Sequence, residues 1–168
     1  MRVVPSAVRK PVRDCAPGEL IRYPWISEGF AIVAPHDGTH ILIILTGDYG
    51  GAPPWYDVMD DGSTEVVAFG CNYEVRVDHH GTTEVQARQL WNAAGCLFLY
   101  GTDWLLRLGP IERSGRYHPI LYDIHQGQVC KSQVGQPSVF ADWSIHLLLH
   151  ENQPERFIEI ARFSKSLT

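Results

Sequence analysis

No aliphatic run in this 168-residue sequence is longer than Ile41 to Leu45, far short of the roughly 20 apolar residues that a helix needs to cross a bilayer. No secretory signal is legible either. The opening, MRVVPSAVRKPVRDCAPGEL, scatters Arg, Lys and Pro through the stretch that would have to be apolar, so a cytoplasmic chain is expected. Cysteine is scarce: Cys15, Cys71, Cys96 and Cys130 lie far apart and form no C-x-x-C pair, which removes the common zinc-knuckle and dithiol signatures. Without export, free thiols packed as small hydrophobes are the expectation. Nucleophile and phosphate motifs are missing as well: there is no G-x-S-x-G, no glycine-rich phosphate loop and no H-E-x-x-H.

An excess of positive charge is also lacking. The formal net charge of -5 argues against nucleic acid, whose binding draws mainly on Lys and Arg facing phosphate. Arg2, Arg9, Lys10 and Arg13 are the exception, gathered among prolines, and they read as a flexible, solvated arm over residues 1–16. The remainder, 17–168, reads as one domain. With 45% hydrophobic and 20% charged residues, the composition is that of a chain that folds around a core.

Past Pro17-Gly18, three strand-like segments, Leu20 to Trp25, Phe30 to Ala34 and His40 to Thr46, alternate with turn residues in the manner of an antiparallel meander. The third is apolar on both faces, which predicts a central strand covered on both sides. Pro17-Gly18-Glu19-Leu20-Ile21-Arg22 followed by Gly29-Phe30-Ala31-Ile32-Val33 resembles the first hairpin of SH3-like barrels. The resemblance is confined to those residues and implies no function. A long Gly- and Pro-rich connection over 47–63 follows, and a second irregular stretch over 109–138 contains one short strand at 119–124. The chain closes with a predicted hairpin of Trp143 to His150 and Arg156 to Phe163.

An internal echo links residues 66–77 to 97–108 without a gap: apolar strand, aromatic-Gly, a polar pair, an aromatic, then a strand carrying one Arg. Gly70 and Gly101 supply permissive backbone, and both copies read as hairpins. Between them, Thr83 to Gly95 reads as the one short helix, with a Thr83/Gln86 capping box, an apolar stripe of Ala87, Leu90, Trp91 and Ala94, and Gly95 to end it. The competing reading pairs Val85 and Ala87 with Val75 and Val77 across His79-His80-Gly81.

Eight histidines raise the question of a metal. His146 and His150 would share a helix face, but on a strand the same spacing separates them by about 13 Å, too far for one zinc with bonds of about 2 Å. His36 and His40 flank Asp37-Gly38-Thr39. A two-residue turn there sends the two rings to opposite faces, and a three-residue turn sets them side by side. Asp57-Val-Met-Asp60-Asp61-Gly62 departs from a calcium loop, with Met59 and Ala68 where oxygen ligands are needed. No metal and no cofactor is expected.

What remains is aromatic. Tyr49, Trp55 and Tyr56 beside Asp57 in the first long loop, and Tyr117 and His118 in the second, offer large apolar faces with polar tips. These six residues are the expected contact surface, against the alternative that the rings plug the ends of the core. The expected fold is therefore mainly β, an antiparallel sheet curled into a roll or barrel with one short helix. The expected function is a non-enzymatic binding or accessory module for a partner protein or small ligand. The alternative is a small hydrolase or metal-dependent enzyme whose His, Asp and Glu side chains converge only in the fold.

Overall fold

The computed structural model describes residues 7–23, 29–46, 54–59, 62–78, 94–110, 119–130, 137–148 and 157–164. Fourteen strands run through them: β1 (Val8–Pro11), β2 (Leu20–Arg22), β3 (Phe30–His36), β4 (Thr39–Ile44), β5 (Trp55–Met59), β6 (Glu65–Ala68), β7 (Tyr73–Val77), β8 (Leu97–Tyr100), β9 (Asp103–Pro110), β10 (Ile120–Asp123), β11 (Gln128–Cys130), β12 (Ser138–Phe140), β13 (Trp143–Leu148) and β14 (Phe157–Phe163). A single 3-10 turn, Val12–Asp14, is the helical content of these residues. Eleven strands form one sheet in the order β1-β6-β2-β3-β4-β5-β9-β10-β11, with β8 joined to β9 and β12 to β8, and β14-β13-β7 form a second. Every pairing is antiparallel except that of β5 with β9. Strands β1 and β11, the ends of the path, are not hydrogen-bonded to each other among the described residues, and β11 packs against β3.

The meander β2-β3-β4 pairs as its sequence requires. Strand β4 is covered on both sides because its residues alternate between two cores: Ile41, Ile43 and Leu45 face one, and Leu42 and Ile44 the other. The larger core also takes Trp143, Ile145, Leu147, Ala161 and Phe163 from the three-stranded sheet, so that sheet and the main sheet bury their apolar faces together. A third cluster, built on Cys96, Phe98, Leu105, Val139 and Ala141, lies on the opposite face of the β8-β9 hairpin. The terminal hairpin forms as β13 with β14, interrupted by a register shift between Ile145 and His146.

Three expectations are corrected. Residues 8–15 are not a solvated arm: β1 pairs with β6, Val12 is wholly buried, and Lys10 Nζ lies 2.7 Å from Glu19 Oε2. Glu19, itself buried, also accepts the Ala16 N–H at 2.8 Å, so the carboxylate is neutralised where it would otherwise be costly. Within 47–63 the structure finds β5, whose alternating Trp55-Tyr56-Asp57-Val58-Met59 joins β4; the turn-rich residues on both sides of it concealed a strand. Finally, the two copies of the echo differ. Residues 97–108 form a true hairpin, Tyr100 opposite Asp103. Strands β6 and β7 pair instead with β1 and β2 and with β13, in different sheets. Two residues separate β8 from β9, enough for a tight turn, whereas four separate β6 from β7 and carry the chain between sheets. Gly70 and Gly101 both adopt positive φ, 71° and 60°, so the shared glycine serves a corner in one copy and a reverse turn in the other. Of the expected helix, residues 83–93 lie outside the described residues.

Candidate functional site

Asp37 and Gly38 have φ of 46° and 81°, as a two-residue type I′ turn requires. His36 therefore pairs with Thr39 and His40 with Pro35, which sends the two imidazoles to opposite faces. That hairpin tip is one wall of a cleft of about 810 Å³ whose other walls come from Tyr100, Arg107, Pro119, Leu121, Gln128 and Cys130. The volume is of the order taken up by small-molecule sites. Register explains the second wall: Arg107 lies opposite Leu121, and Leu121 opposite Cys130, so these three side chains project from the same face across three strands.

Arg107 is the unusual member of that wall. Its Nε is buried with no hydrogen-bond partner, and it forms no ion pair among the described residues. Asp123 Oδ1 accepts the N–H groups of His125 and Gln126 at 2.8 and 2.9 Å. Asp37, largely exposed, lies 3.7 Å from His36 Nε2.

A second cleft, of about 530 Å³, is lined by Cys71, Tyr73, Glu74, Trp104, Ile124 and His125 among others. Partial burial raises the thiol of its cysteine, Cys71, above the usual range. Tyr73 Oη donates to the Gly18 carbonyl at 2.9 Å. The buried Tyr122 hydroxyl sits close to it without a hydrogen bond of regular geometry. Burial pushes both phenols well above their usual range and the Cys15 thiol up to about 11. In the unfolded chain the thiol ionises near 8.5 and the phenols near 10. Above those values the unfolded state binds fewer protons than the folded one, so stability falls as pH rises. Urea midpoints should therefore hold to about pH 9 and then drop, each buried phenol adding up to about 1.4 kcal/mol per pH unit above 10. The Tyr73→Phe/Tyr122→Phe double variant should lose most of the slope between pH 10 and 11. An unchanged slope would refute this account.

On the outer face of the small sheet, Ser144, His146 and Glu159 come together. Ser144 Oγ lies 2.8 Å and Glu159 Oε2 3.7 Å from the same nitrogen, His146 Nε2. A catalytic triad needs the acid on the opposite ring nitrogen from the nucleophile. Ser144 is also buried and lines neither cleft. Burial first, then the Arg76 charge, lowers the His146 pKa, and Glu159 is held by Arg162 at 2.6 Å. This is a structural polar cluster of neighbouring strands. Among the described residues no three His, Cys, Asp or Glu side chains gather as a metal-binding group.

Of the six residues expected to make contacts, Trp55 and Tyr56 are buried in different cores, 8% and 3% exposed. Asp57 is exposed, its Oδ1 accepting the Val58 N–H. Tyr49, Tyr117 and His118 lie outside the described residues. Sequence reasoning did not single out Arg107, Tyr100, His36 or Gln128 as a group, because three separate hairpins bring them together. One signal was present: Arg107 interrupts the apolar run Trp104 to Leu108. Compared with protein-family models, curated proteins and solved structures, the chain matches none of them.

Proposed function

We propose that this chain is a non-enzymatic binding module, and that the cleft between the β3-β4 tip and strands β8 to β11 is where its ligand or its partner protein engages. The observation that carries the reading is a recess of about 810 Å³ with, in its wall, an arginine whose buried Nε has no partner among the described residues. The aromatic residues expected from sequence add to it. His118 and Tyr117 immediately precede Pro119, which lines the recess. Tyr49 precedes β5, whose Trp55 and Tyr56 adjoin Gly109 and Pro110, where β9 ends. In this reading the buried Trp55 and Tyr56 hold the frame, and Tyr117 and His118 meet the ligand. We read the scaffold as a roll, supported by the packing of β11 against β3, and the chain as cytoplasmic, supported by cysteines that form no disulfide among the described residues.

The test is amide spectra of labelled protein over a library of small polar and aromatic fragments. Shifts should gather on Gly38, Tyr100, Arg107, Leu121 and Cys130. Replacing Tyr117 and His118 together by alanine should weaken those fragments by about tenfold, as loss of an aromatic anchor does. Hits scattered over the surface, or chemical turnover of a bound fragment, would defeat the proposal.

A further inference from the structure

We infer that Arg107 is the anchor for an oxyanion, the carboxylate or phosphate group of a small molecule, in the cleft already proposed as the binding site. The inference rests on that reading and adds the chemistry of the ligand. A buried guanidinium nitrogen without a partner is rare, because leaving a charged donor unsatisfied costs more than an ordinary hydrogen bond returns. Here the Nε is buried while the side chain as a whole is not, so the guanidinium is held in the wall with part of it open to the cleft. A guanidinium offers parallel N–H donors in a fixed fork, which matches two oxygens of one carboxylate or phosphate.

Competition for that fork is weak. No described carboxylate pairs with Arg107, and Asp123 is committed to its own turn. The equivalent arginine of the sequence echo makes the contrast: Arg76 bonds Glu74 and lies 5.2 Å from the centre of the Phe157 ring. Among the described residues one copy has its counter-charge and the other does not. The lining of the cleft also includes the polar residues Tyr100, His36, His40 and Gln128, among which the remaining oxygens can find partners. The volume of this open cleft suits a small molecule, and the neighbouring apolar surface of Pro35, Ile120, Leu121 and Val129 suits a ligand that carries the anion on an apolar body.

The probes are inorganic phosphate and acetate, titrated at constant ionic strength against sodium chloride, with the Arg107 Nε–Hε signal and the Leu121 and Cys130 amides followed by NMR. Saturable shifts at these groups with phosphate or acetate, absent with chloride, are expected. Arg107→Gln should weaken binding by about tenfold or more, in line with loss of a charged hydrogen bond. Arg107→Lys, which keeps the charge and loses the fork, should fall between. Shifts no different from chloride's, or equal affinity in a folded Arg107→Gln, would overturn the inference. Should that variant not fold, the wild-type Nε–Hε titration decides alone. If neutral fragments shift the same amides while both anions do nothing, the anion is wrong and the cleft stands. If neither binds, both readings fall.

Discussion

Trp143→Ala should unfold this protein at a markedly lower denaturant concentration, losing about 4 kcal/mol of stability, within the range for truncating a fully buried tryptophan. Three separate contributions make the site costly. The indole is 1% exposed in the core shared by the two sheets. Its ring stacks on Phe163 with centroids 4.1 Å apart, a contact worth about 1 kcal/mol beyond the area it buries. Its Nε1 donates to the Gly95 carbonyl at 2.8 Å, and that acceptor would lose this partner. The last contact reaches from the small sheet to the turn before β8, so the ring also joins parts of the chain that are remote in sequence. Trp143→Phe separates the effects: it keeps most of the packing and should cost about 1–2 kcal/mol, chiefly the lost hydrogen bond. Equilibrium urea unfolding of the two variants is the measurement. A loss under about 1 kcal/mol for alanine would mean that the core can close over the gap.

Trp143 also shows how far the sequence could be read. Its strand was legible because Trp143 to Leu148 alternates with period two, and the closing hairpin follows from that pattern. The meander was legible from the turn residues between its strands, and the doubly covered β4 from a run that is apolar on both faces. Local pattern, however, says which residues face inward and not what lies opposite. That β7 would leave β6 and pair with β13 depends on contacts far along the chain, and the echo with β8-β9, read locally, pointed to a second hairpin. The strand hidden between Pro54 and Gly62 is similar: five residues suffice for a strand, and the flanking turn residues dominated the window. Lys10 reads as solvated in sequence because its partner, Glu19, lies across a turn that only the fold closes.

The candidate site was the least legible part, again for a physical reason. Its wall is the face of β9, β10 and β11 opposite the main core, and a face becomes visible only once register is known. The sequence did expose one anomaly, an arginine within an apolar strand. Such an arginine is either paired in the interior or aimed at something outside it, and its partner can be sought only in three dimensions. The aromatic residues chosen from sequence divide along the same line. Trp55 and Tyr56, in a strand, went to the cores, while Tyr117 and His118 lie outside the described residues, immediately before Pro119 in sequence.

Gly127→Ala should cost about 3 kcal/mol or more, and it should disturb the cleft as well as the fold. Gly127 ends the turn between β10 and β11 with φ of 67°, and its N–H donates to the Asp123 carbonyl at 2.9 Å. A Cβ there would stand 2.8 Å from both Gly18 N and Pro17 C. Both are backbone atoms, unable to swing aside as a side chain could, so the two turns must separate. Separation would strain the Gly18 contacts, since its N–H donates to the Val33 carbonyl and its carbonyl accepts from Tyr73. Gly101→Ala is the control: φ is similar at 60° but nothing lies within 4 Å of the added Cβ. It should cost only the left-handed backbone strain, about 1 kcal/mol. The difference between the two variants isolates close approach from conformational preference. Because Gln128, Val129 and Cys130 follow directly and line the cleft, the same substitution should shift their amides while leaving that of Ala161, in the small sheet, nearly in place. Equal stability losses for the two glycines would show that the Pro17-Gly18 turn and the β10-β11 turn do not pack backbone to backbone.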